Sequence, residues 1–154
     1  MNGVSWAEFV ASDMALAEAG ARLLVGVDGI ALAWLATQGE RGPHLGPCCP
    51  IFSRGRVFLI ASTGTPELMN LRADGRYALH AQLGEEHEAF WFSGPAIEMA
   101  DAELCAAVHA DVPEPSRDVA APIFELRVGC VLHVRWRAFG TPEAERVARR
   151  WPHA

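Results

Sequence analysis

A chain of 154 residues with 51% hydrophobic and only 21% charged residues can bury a core of its own, which excludes both a disordered chain and a multidomain machine. Thirteen arginine and lysine residues against nineteen acidic ones leave a net charge of −6, which argues against nucleic acid or an anionic membrane as partner, because both are held by basic surfaces. The longest apolar stretches, such as Val57 to Ala61, fall far short of the roughly 20 residues of a membrane helix. Near the start, Glu8, Asp13 and Glu18 stand where a secretion signal would be basic, and the four cysteines lack the spacing of a disulfide framework, so a cytoplasmic, reduced protein is expected.

The elements follow from local chemistry. Ser5 and Glu8 match a capping box and predict a short first helix; Leu16, Ala19, Leu23 and Leu24 form one stripe of a second, so helices cover about 5–25. Asp28-Gly29 stops the second helix, and the apolar residues of Ile30 to Gln38 fall on both faces, as in a strand buried on both sides. After the turn Gly39 to Gly42, the strand Pro43 to Phe52 contains Pro47 and Pro50, each without a ladder donor, so an edge, bulged or split strand is expected. Ser53-Arg54-Gly55 turns the chain into a third strand, Arg56 to Ser62. Thr65 and Pro66 suit the N-cap and first position of a helix running to Arg72, which Asp74-Gly75 ends.

Tyr77 to Leu83 and Glu88 to Met99 read as two further strands joined by the polar hairpin connection Gly84 to His87. Asp101 caps a helix to about Ala110 with Leu104, Ala107 and Val108 inward, and Asp111 to Pro122 is loop. Ile123 to Val128 and Cys130 to Arg137 are the last strands, the second alternating with Cys130, Leu132, Val134 and Trp136 inward and His133, Arg135 and Arg137 outward. Thr141-Pro142-Glu143 predicts a C-terminal helix over about 142–151. With no repeat or linker, residues 1–154 read as a single domain whose barrel core spans about 29–137. Short helices interrupting the strands, rather than alternating with them, favour an antiparallel barrel or sandwich over a parallel α/β sheet.

Ser62-Thr63-Gly64-Thr65-Pro66 combines hydroxyls with a helix N-terminus and offers an anion pocket suited to phosphate. Thr65 capping only its own helix is the plainer alternative, and Glu67 in the first turn already complements the dipole and opposes a phosphate. His44, Cys48 and Cys49 have zinc-ligand chemistry, but neighbouring strand residues point to opposite faces, so no metal is expected and the cysteines read as small hydrophobes. His80 is open between a general base and a hydrogen-bonded strand histidine. Phe90-Trp91-Phe92 puts Trp91 opposite the phenylalanines; one set fills the core and the other covers a partner subunit or a flat ring. Trp6, Trp34, Trp136 and Trp151 read as packing residues. The common nucleotide-loop and hydrolase motifs do not occur.

Leu35-Ala36-Thr37, Gly42-Pro43-His44 leading to Pro47, Gly55 to Leu59, Thr65-Pro66, Asn70 to His80 and Phe90 to Ala96 occur in an order that resembles the pyridoxamine 5′-phosphate oxidase-like family of flavin-binding split β-barrels. The resemblance covers about residues 30 to 100, with Ile123 to Leu126 echoing a late strand. It implies a mainly β, antiparallel Greek-key split barrel of about six strands with short peripheral helices, and a homodimer with two sites at the interface. It also implies FMN along Pro47, Cys48 and Cys49, its phosphate held by Ser62, Thr63, Thr65 and Arg72, and Trp91 capping the ring across the dimer. Where many relatives read Ser-Pro-Lys this chain has Thr65-Pro66-Glu67, an acid for a cation, which Arg72, Arg76 or an arginine of a partner subunit would have to offset. Two outcomes follow: an FMN-dependent oxidoreductase acting on a small substrate, or a non-enzymatic dimeric binding or stress-associated protein that kept the barrel and lost the phosphate site. Relatives with deazaflavin, haem or no cofactor fit the same resemblance.

Overall fold

The computed structural model describes residues 2–26, 28–82, 87–112 and 118–152. In chain order these form α1 (Trp6–Ser12), α2 (Met14–Leu24), β1 (Ala33–Gly39), β2 (Gly42–Cys48), β3 (Ile51–Ser53), β4 (Arg56–Ile60), α3 (Pro66–Ala73), β5 (Arg76–Ala81), β6 (Ala89–Glu98), α4 (Ala102–Ala110), β7 (Ile123–Leu126), β8 (Cys130–Arg137) and β9 (Glu145–Trp151). No helix among the described residues is long and apolar enough to cross a membrane.

The strands pair along the path β2-β1-β5-β6-β7-β4-β3, with β8 on β6 and β9 on β8. The two ends of that path, β2 and β3, are consecutive in the chain and joined only by Cys49-Pro50. From Cys48 to Ile51 the backbone can span at most about 11 Å. The sheet must therefore curl until its edges meet, and the mainly β, antiparallel split barrel is the result. Pro50 has no N–H to carry a ladder across the junction, which is the break that the two prolines predict. β6 serves both halves: Ala89 to Ser93 pair with β8, and Ala96 to Glu98 with β7. The change of neighbour falls at Gly94-Pro95, where a side chain on residue 94 would collide with the Arg127 carbonyl.

Inside the curl lie Phe9, Leu35, Leu79, Phe90, Phe92 and Leu126, all at most 1% exposed. The N-terminal helices close this core. The Ser5–Glu8 capping box forms as expected, and Asp13 caps α2 by accepting a hydrogen bond from the Leu16 N–H at 3.0 Å. Trp6 packs edge-on against Phe9 and Phe52, with ring centroids 5.2 and 5.1 Å away.

Four expectations are corrected. Residues 145–151 form β9 rather than a helix: Thr141 makes a turn, accepting from the Glu143 N–H at 3.2 Å, and the free edge of β8 takes the segment in a ladder from Arg137–Glu145 to Val131–Trp151. A lone helix of that length is marginal in water, whereas a ladder on an existing edge is not. The facing of β8 is reversed. Its register sets Val131 beside Phe92 and His133 beside Phe90, so these point into the barrel, while Leu132 and Val134 are buried on the opposite face next to Trp91 and Ala89. β1 is buried on one face only, because Trp34 and the preceding Ile30 and Leu32 stay exposed at alternate positions. Trp34 and Trp136 are accordingly exposed, unlike Trp6 and Trp151, which pack at the core. The expected connection over 83–86 and part of the loop, 113–117, lie outside the described residues.

Gly20, in the middle of α2, tests the packing. A methyl there would land on the ring of Phe90, which is fully buried and has nowhere to move. Helix propensity favours Gly20→Ala by about 1 kcal/mol, whereas overpacking costs about 1–3 kcal/mol. The expected outcome is a net loss of stability, read as a lower urea midpoint.

Candidate functional site

The α3 start has the cap that its sequence predicts. Thr65 is extended, its hydroxyl accepts from the Leu68 N–H at 3.4 Å and donates to the Ser62 carbonyl at 2.9 Å, and Pro66 occupies the first turn. Gly64 has φ of +81°, a left-handed conformation natural to glycine. Ser62 and Thr63 are exposed beside it. Thr65 is thus committed to its own helix, while Ser62 and Thr63 present their side chains to solvent.

Glu67 decides the electrostatics of this end. It leans onto β2, where its Oε1 lies 3.5 Å from His44 Nδ1 in a contact that lacks hydrogen-bond geometry. It occupies the space a side chain at Gly46 would need: a Cβ there would come within 2.8 Å of Glu67 Oε1. His44, Gly46 and Cys48 share one face of β2 by strand alternation, and the Glu67 side chain lies over that face at His44 and Gly46. Burial first, then the neighbouring Cys49 and the Glu67 charge, push the Cys48 thiol up to about 12. Neither arginine offsets Glu67. Arg72, in the last turn of α3, makes a two-pronged pair with Glu98 at 2.9 and 2.6 Å, and Arg76 pairs with Asp74 at 2.8 Å.

The opposite face of the sheet carries aromatic rings. Register sets Pro47 beside Trp34, Trp34 beside His80, His80 beside Trp91, and Trp91 beside Leu132, in one row across β2, β1, β5, β6 and β8. His80 and Trp91 stack nearly parallel, with centroids 5.7 Å apart and planes 12° off. The His80 Nδ1–H donates to the Ala81 carbonyl, which leaves Nε2 to carry the lone pair of the neutral ring. Ile30, Leu32, Trp34 and Leu45 add an apolar surface, each between 43% and 64% exposed. On a chain of net charge −6 these side chains leave one face of the sheet apolar.

The structure therefore divides the candidate residues. Pro47 and Trp91 share the outward face; Cys48 faces α3 beside Glu67; Cys49 is exposed in the break between β2 and β3; Ser62, Thr63 and Thr65 cluster at the α3 start; Arg72 is at the other end of that helix. Sequence reading missed Trp34 and His80 as members of the Trp91 row. Only strand register reveals them. Among the described residues no group of three or more His, Cys, Asp or Glu could hold a metal ion.

No protein-family model matches the sequence, and no curated protein matches it. Solved structures do match in fold. A pyridoxamine 5′-phosphate oxidase-related, FMN-binding protein from Nostoc punctiforme is similar with a TM-score of 0.60 at 12% identity, over 97% of this chain and 99% of that one. A NimC/NimA family protein from Clostridium acetobutylicum gives 0.61 at 12% identity, over 88% and 93%. A heme-binding protein from Mycobacterium smegmatis gives 0.53 at 19% identity over 75% of this chain, which spans 52% of that protein. The fold is that of the pyridoxamine 5′-phosphate oxidase-like split barrels.

The two adjacent cysteines test the geometry at β2. With its thiol at about 12, Cys48 holds on the order of one thiolate in ten thousand at pH 8. Iodoacetamide at that pH is expected to label Cys49 and spare Cys48, read by peptide mass spectrometry; equal labelling would contradict the burial of Cys48 against the core.

Proposed function

We propose that this chain forms a homodimer that holds a planar redox ring on the outward face of its sheet, and that it acts as an FMN-dependent oxidoreductase. The carrying observation is the row Trp34, His80 and Trp91 within an exposed apolar face, a surface suited both to a flat heterocycle and to a second copy of the chain. The shared fold with an FMN-binding protein supports it.

The outward residues fit the ring. Trp91 and Trp34 would lie against it, and the proline-interrupted backbone at Pro47, Cys48 and Cys49 would meet its polar edge. FMN, when bound, supplies the hydride chemistry; the chain's residues bind it, orient it and exclude water. The first turn of α3 does not fit the phosphate equally well. The exposed Ser62 and Thr63 hydroxyls and the helix N-terminus attract an anion, whereas Glu67 repels one and Thr65 is occupied by its cap. Arg72 would have to leave Glu98 to help.

A haem-binding role is the second reading, and His80 favours it. With Nδ1–H anchored to a backbone carbonyl, Nε2 is the tautomer that ligates iron, and it stands in the aromatic row. The fold shared with a heme-binding protein supports this reading too.

Absorbance of the purified protein separates the readings. A flavin spectrum, or saturable uptake of FMN, supports the first; a Soret band lost in His80→Ala supports the second; a protein that takes up neither overturns both and leaves a dimeric barrel without a redox role. If the phosphate sits at the α3 start, Glu67→Lys is expected to tighten FMN binding about tenfold or more, since it replaces a repulsive charge by a charge-assisted contact. Unchanged affinity would place the phosphate elsewhere. Trp34→Glu is expected to convert the dimer to a folded monomer in light scattering, because it sets like charges against each other across a two-fold axis.

A further inference from the structure

The chain has no lysine, and six of its thirteen arginines lie on α2, β8 and β9: Arg22, Arg135, Arg137, Arg146, Arg149 and Arg150. In a protein of net charge −6 this is a strong segregation. Four of the six, Arg22, Arg135, Arg137 and Arg149, line a cavity of about 750 Å³ between α2 and the β8–β9 hairpin, with Glu88 and His133 as its most buried members. The helix contributes Ala15 and Ala19, one turn apart on one face. Methyl groups there leave the space unfilled while the larger Leu16 and Leu24 go to the core.

The carboxylates organise these cations. Glu88, with its side chain 3% exposed, accepts from Arg22 at 2.7 Å and pairs with Arg135 Nε at 2.9 Å, and His133 Nε2 lies 3.3 Å from it. Burial would raise the Glu88 carboxyl, but the Arg22 bond and charge, the Arg135 charge and the His133 bond together hold it below the ordinary range. Burial pushes His133 down against the pull of Glu88. Around neutral pH the lining is therefore four guanidiniums against the buried Glu88 and Asp13, which holds Arg149 at 3.1 Å, and the exposed Glu145, 3.7 Å from Arg137. A positive surplus remains, and a guanidinium has five donors, more than one carboxylate occupies.

We propose that this cavity binds a compact polyanion, a small molecule bearing adjacent phosphoryl or carboxylate groups, at a site distinct from the outward aromatic face. Arg22 and Arg135, held on Glu88, and Arg149, held on Asp13, lose little freedom on binding and offer the planar fork that such oxyanions match. Glu88 is a positioning residue here: it fixes Arg22 and Arg135 and does not itself contact the anion.

Isothermal titration of the full chain at low salt with inorganic pyrophosphate and with citrate tests this. The expected result is saturable one-to-one binding of at least one, the tighter of the two telling phosphoryl from carboxylate chemistry. Arg137→Ala, whose guanidinium is largely exposed, should weaken it tenfold or more, and Ala19→Leu, which fills the cavity without changing charge, should abolish it. Arg41→Ala, in the β1–β2 turn, should leave it unchanged. Binding of neither probe, or wild-type affinity in Arg137→Ala or Ala19→Leu, overturns the proposal. So does a fall in FMN affinity with Arg137→Ala, which would make this the flavin phosphate pocket. FMN uptake by the wild-type protein is read separately, so failure of the ring-binding reading and failure of this one are distinguishable.

Discussion

Two residues, Cys49 and Pro50, carry the constraint on which the architecture rests. They join strands that stand at opposite ends of the hydrogen-bonded path, so the sheet closes on itself or the chain cannot connect. Closure creates an inside and an outside. The inside collects Phe90, Phe92, Leu79 and Leu35 and is stopped by Trp6 and Phe9 from α1; the outside keeps the alternate residues of the same strands. Along β1, β5 and β6 strand parity then decides which side chains enter the core and which stay on the outward face.

The β6–β8 pair shows how much one register decides. Trp91 and Leu132 look outward, while Phe90 and His133 look in, and the inward histidine is tolerated because Glu88, itself fixed by Arg22 and Arg135, stands beside it. A buried carboxylate without those partners would cost several kcal/mol. With them it becomes an anchor that turns arginines from α2 and β8 toward one cavity. The same strands thus support two chemically different surfaces, an apolar aromatic one and a cationic concave one.

Glu67 is the place where local and global preferences meet. In the first turn of a helix an acid is favoured by the dipole, and here it also fills the groove left open by Gly46. Both roles are stabilising, and both set a negative charge at the helix end, whose free N–H groups would otherwise favour an anion. The protein has satisfied its own backbone at this junction, which is why the aromatic face, rather than the helix terminus, carries the functional reading.

The α3 start, the split at Pro50, the capping box at Ser5 and the antiparallel class are all legible in the amino-acid order, since each depends on hydrogen bonds and dihedral limits complete within a few residues. The grouping of motifs between residues 30 and 100 likewise pointed to the split barrel. What local chemistry cannot reach is any property set by a neighbour far along the chain. Thr141-Pro142 looks like a helix start, yet the exposed edge of β8 claims residues 145–151 as a strand. His133 looks like part of an outward polar face with Arg135 and Arg137, yet pairing with Phe90 turns it inward while the two arginines stay exposed. Nothing near Arg72 in the chain announces its ion pair with Glu98 from β6. Alternation along a strand is visible in one sequence, but which of the two faces is inside is a single bit supplied by the partner strand, and only the closed barrel supplies it.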